Sequence, residues 1–117
     1  MDSASPIMLE GAEERGTKAV SLSFAYESDG AEVAYTPKTA SWSLYDINEA
    51  IVNEREDEPI SPLASAVTIV LSGLDLDADI NGELRRVVVK GTYDSVLGSD
   101  LPFVKEVQFP IIKIAGQ

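Results

Sequence analysis

The sequence predicts an all-β chain, an antiparallel β-sandwich of six or seven strands, and three observations carry that prediction. Apolar and polar residues alternate with period two along several segments of strand length, as happens where one sheet face is buried. Clusters of Gly, Pro, Asn and Asp separate those segments and supply turn chemistry. No segment repeats apolar residues at helical spacing over three turns; the one helical turn that the pattern allows falls within residues 74–80.

In chain order, residues 1–17 mix Ser, Pro, Gly and Glu around a single apolar trio, Ile7, Met8 and Leu9. They read as a flexible N-terminal arm ahead of a domain spanning residues 18–117, with the trio as the arm's anchor on a partner. Residues 18–26 form the first strand, with Val20, Leu22, Phe24 and Tyr26 on one face. Ser28-Asp29-Gly30 is a turn, after which residues 31–35 supply the optional seventh strand. Residues 39–46 carry Ala40, Trp42 and Leu44 on one face, and Trp42, the sole tryptophan, reads as a plug between two sheets. A hairpin connection at residues 46–49 leads into a third strand at residues 50–55. The charges that follow it, closed by Pro59, mark that strand as an edge.

The clearest pair of strands comes next. Val67, Ile69 and Leu71 alternate before the break at Ser72-Gly73, and Val87, Val89 and Tyr93 share a face after an acidic corner. Residues 94–102 read as a loop because they hold Gly98 and Pro102. The last strand runs over residues 103–114, with Phe103, Val107 and Phe109 on one face. Pro110 removes a ladder donor, so an edge position or a bulge is expected there, which would also shift the phase toward Ile111, Ile112 and Ile114. The expected core is Leu22, Phe24, Trp42, Leu44, Val67, Ile69, Leu71, Val87, Val89 and Phe109.

Composition narrows the function classes. A chain of 117 residues is the size of one domain. Its 20 acidic and 9 basic side chains leave a formal net charge of −11, which repels nucleic-acid phosphates and anionic membrane surfaces alike. With neither cysteine nor histidine, it has no thiolate nucleophile, no sulfur-held metal and no imidazole base. A Gly-rich phosphate loop is missing as well. No catalytic residue, cofactor or secretory signal is read from the sequence, and its apolar runs fall far short of a membrane span. The partners expected are therefore proteins, and the absence of cysteine fits a reducing compartment.

Two chemical motifs remain. Asp77, Asp79 and Asn81-Gly82 match the opening of a calcium loop, in which oxygen ligands converge around a sharp Gly turn. The twelfth position is Val88 where a bidentate Glu belongs, and Arg85 and Arg86 sit close by, so an acidic corner is the favoured reading over a metal site. Tyr35, Tyr45, Tyr93 and Trp42 offer the material for a sugar-stacking platform, although their alternate-residue settings favour packing within the sheets.

The order of a Trp-bearing strand (SWSLYD), a strand ending in Leu71-Ser72-Gly73-Leu74 and a strand reaching Tyr93 resembles an immunoglobulin-like or fibronectin type III module over residues 18–114. More narrowly, the chain resembles small acidic proteins encoded among tailed-bacteriophage and prophage structural genes. The residues that carry this are a Thr-Pro before the Trp-bearing strand, a serine-rich strand ending near Gly and Asp75-Leu76, and the turn Tyr93-Asp94-Ser95. The resemblance implies a non-enzymatic structural or accessory role in virion or tail assembly through protein contacts. The alternative is a sugar- or protein-binding immunoglobulin-like module of a bacterial surface system.

Overall fold

A computed structural model of the chain describes residues 7–113. It is all-β among those residues, apart from one 3-10 turn, η1 (Gly73–Leu76). The largest sheet is built on a long hairpin of β9 (Glu83–Ser95) and β10 (Gly98–Ile112). Antiparallel to β9 lies β6 (Thr39–Tyr45), and β7 (Glu58–Pro59) pairs with β6 at the edge. Two short strands, β1 (Ile7–Met8) and β2 (Ala12–Glu13), run parallel to β10 on its other side. Across the core lies a pair, β3 (Thr17–Ser23) with β8 (Ala66–Ser72). A third small sheet is the hairpin of β4 (Ala25–Ser28) and β5 (Ala31–Ala34).

Period-two alternation decides which side chains meet. Val20 and Leu22 from β3, Ile69 and Leu71 from β8, Trp42 and Leu44 from β6, Val87 and Val89 from β9, and Val107 and Phe109 from β10 join one buried cluster. Nine of the ten residues of the expected core belong to it; the tenth, Val67, is only partly buried and packs against its margin. Gly91 marks the tightest backbone approach in the sheet. A Cβ there would stand 1.9 Å from the Thr39 carbonyl oxygen, so β6 and β9 pair at this level only because residue 91 has no side chain.

Four expectations are corrected. The boundary after residue 17 does not separate an arm from a domain, since β1 and β2 extend the main sheet and Ala12 is buried in the core. Residues 1–6 of the expected arm lie outside the described residues. Residues 50–55 form no strand. After one bridge between Ile51 and Tyr45, positive φ at Asn53, Glu54 and Asp57 curls the chain out of extended geometry. Residues 94–102 are no loop, because β9 and β10 continue to a turn of two residues, Val96 and Leu97. Pro110 sits at no bulge. The register with β9 is unbroken from Leu101 to Ile111, and the one irregularity lies between Gly98 and Leu101. The Gln108 carbonyl accepts from Leu9 and the Ile112 carbonyl from Glu14, so Pro110, two residues from each, also turns its nitrogen away from β9. The missing donor thus falls where the chain steps between β1 and β2, and the buried phase Val107, Phe109, Ile111 continues through it.

Candidate interaction surface

The two hairpins project together from the end where β3 meets β4. The β4–β5 turn is Asp29-Gly30, both with positive φ, which matches the right-handed twist of the strands it joins. At the base of these hairpins five aromatic rings pack against one another. Tyr35 and Tyr93 stack with centroids 4.0 Å apart, Tyr26 stacks on Tyr93 at 6.0 Å, and Phe24 meets the edge of Phe103 at 5.2 Å. Burial raises the Tyr35 hydroxyl to about 12, and the adjacent Tyr93 adds to the shift.

Polar bonds brace the neck of the β9–β10 hairpin. Lys38 Nζ donates to Asp100 Oδ1 at 2.6 Å and lies 3.7 Å from Asp94, which itself accepts from the Asp100 backbone at 2.8 Å. The Lys38 ammonium is held above its ordinary pKa by the Asp100 hydrogen bond first and then by the two carboxylate charges. The Thr39 and Thr92 hydroxyls bond each other at 3.0 Å, and Thr39 Oγ1 also accepts from the Thr92 N–H. Beyond this brace the tip is apolar and bare: Val96 is 84% exposed and Leu97 65%. Val33 is exposed on the small hairpin, and Val104 is exposed on β10 below the neck, opposite Lys90.

The opposite end is built from buried charge. Asp75, in η1, is 0% exposed and accepts from Arg55 Nε at 2.9 Å, Arg55 Nη2 at 3.3 Å, Asn53 Nδ2 at 2.9 Å and the Ser72 backbone at 3.1 Å. Arg55 also reaches Glu58 and lies 5.7 Å over the Trp42 ring. Burial pushes the Asp75 carboxyl up, but the bonds from Arg55, Asn53 and Ser72 outweigh it and hold the group below its usual range. The charge cluster expected to blunt an edge is therefore partly turned inward, with Arg55 as an internal clamp. No local pattern signals it, since Arg55 lies in a loop and Asp75 in η1, 20 positions away.

The other sequence-derived candidates disperse. Asp77 Oδ1 pairs with Arg15 at 3.0 Å, its backbone carbonyl accepts from Arg85, and Asn81 Oδ1 accepts from the Lys113 N–H. Asp79 is exposed. No cluster of three or more acidic ligands forms among the described residues. Tyr45 lies at the other end of β6 from Tyr35 and Tyr93, while Trp42 is buried, so the four aromatics share no surface. Of the trio Ile7, Met8 and Leu9, the backbone lines β10, Met8 is exposed, and Leu9 packs against the core. Glu14, Asp77 and Glu106 are each lowered, chiefly by a hydrogen bond from Lys113, Arg15 and Arg86 respectively. That direction is the reverse of what a carboxylic general acid needs. No helix among the described residues is long and apolar enough to cross a membrane.

No family model, curated protein or solved structure matches this chain.

Proposed function

We propose that the chain is an immunoglobulin-like β-sandwich that carries no chemistry of its own. In this reading it is a structural or accessory protein of a tailed-phage or prophage particle, and it contacts another protein through its hairpin end. The strand order β1-β10-β9-β6-β7, with β3–β8 across the core and the tryptophan on β6, supports the architectural part. Loops gathered at one end of such a sandwich are where recognition residues are carried.

The observation that carries the functional part is the composition of the β9–β10 turn. The neighbouring hairpin turns with Asp-Gly, the residues that its backbone geometry asks for. At the same end Val96 and Leu97 occupy a turn with no such requirement, since neither has positive φ, and they leave two aliphatic side chains in solvent. Folding gains nothing from that placement, whereas a contact that buries both gains about 1.5–3 kcal/mol from each.

Purified particles from the source strain, with the chain quantified by mass spectrometry, test this reading. A fixed stoichiometry relative to the major structural protein is expected. A chain confined to the particle-free fraction would contradict it.

A further inference from the structure

Among the described residues, the strand β8 has one partner, β3. The Phe24 N–H donates to the Ser65 carbonyl and the Gly73 N–H to the Gly16 carbonyl, so the odd-numbered residues of β8 turn their backbone groups toward β3. The backbone groups of Ala66, Thr68 and Val70 therefore point the other way, along an edge that no other described strand pairs with. Beside that edge lies a groove of about 410 Å³ whose walls include Trp42, Ile60, Pro62, Val67 and Ile69. The segment bearing Pro59 and Pro62 runs past this groove without forming a strand alongside β8.

Charge identifies the occupant. Residues 59–74, which include the whole of β8, are the longest uncharged run in a chain of net charge −11. Elsewhere charges accompany the free edges: Glu58 on β7, Glu10 and Glu13 beside β1 and β2, Glu27 and Glu32 in the small hairpin, and Lys18 on β3. Such charges deter strand addition, and β8 has neither charge nor proline. A basic partner would find no acidic side chain here to pair with. Another strongly acidic chain can approach only through a surface like this one, and the nearest such chain is a second copy.

We infer that two copies join through β8, antiparallel about a twofold axis at Thr68. The register closes on itself: Thr68 exchanges backbone hydrogen bonds with Thr68 of the other copy, and Ala66 does so with Val70. Val70, 58% exposed in the single chain, then lies beside Ala66 across the seam. The pairing is isologous and closes at a dimer. It rests on the β8 edge alone and is independent of the function proposed above.

Sedimentation velocity over a wide concentration range tests it, with variants at the axis. The wild-type chain is expected to sediment as a dimer. Thr68→Pro removes an N–H that faces away from β3, and Thr68→Lys sets two ammonium groups opposite each other; both also lose the exposed 3.3 Å hydroxyl contact with Ser21, a small loss, so both variants are expected as folded monomers of half the mass. Mixing Thr68→Lys with Thr68→Glu is expected to restore a dimer containing one of each. That arm keeps the test decisive should the proline variant unfold. A wild-type chain that stays monomeric, assembles beyond a dimer, or dimerises equally well with either single variant overturns the inference.

Discussion

The two ends of the molecule are held together by different physics. At the η1 end, a fully buried carboxylate takes four hydrogen bonds from Arg55, Asn53 and Ser72, under a guanidinium that also lies over Trp42. At the hairpin end, stacked rings and solvent-facing pairs such as Lys38–Asp100 hold two projecting hairpins whose tip is bare aliphatic surface. Buried polar groups are costly unless fully satisfied, so the first arrangement tolerates little change. Exposed pairs contribute little, so the second leaves its outermost residues free to serve something other than folding. In the proposed reading, the difference separates where the chain stores stability from where it offers contact.

The largest effects are expected at the η1 end. Trp42→Ala removes a large buried ring and the surface under Arg55, with an expected loss of about 3–5 kcal/mol in urea unfolding. Asp75→Ala strands four N–H donors on three residues, and the expected loss is about 2–3 kcal/mol, below the usual figure for a wholly buried pair because the Arg55 head is partly open to water. Losses under about 0.5 kcal/mol for both variants would erase the distinction between the ends.

Acid probes the same end more gently. The Asp75 and Glu106 carboxyls are lowered in the folded chain, so they contribute stability in full above the unfolded carboxylate range near pH 4. That contribution disappears as the pH falls through their folded values. The unfolding midpoint should therefore be level from neutral pH down to that range and drop below it, and Asp75→Asn should flatten part of the drop. A wild-type midpoint that stays level well below pH 4 would remove the carboxylates from the account.

The layers of the core were legible in the sequence because their cause is local. Burial on one face imposes alternation, and alternation is written in consecutive residues such as Val67, Ile69 and Leu71. The segment around Arg55 was not legible, because its curl answers to Asp75, 20 positions away, rather than to its neighbours. Nor were β1 and β2, whose two-residue strands are too short to show a period. Gly98 and Pro102 made residues 94–102 look like a loop. The Asp94 carboxylate, bonded to the Asp100 backbone across the hairpin, and Pro102, on the side away from β9, let the strands continue. The bareness of Val96 and Leu97 followed only once that hairpin was in view.

Whether the hairpin tip serves contact and not folding is decided by one double variant, Val96→Ser with Leu97→Ser. Its urea unfolding is measured alongside its abundance in purified particles relative to wild type. Stability within about 0.5 kcal/mol of wild type, as for surface substitutions generally, is expected together with a particle content reduced about tenfold or more. A variant that incorporates at the wild-type level, or that loses its place only because it no longer folds, would contradict a contact role for the tip.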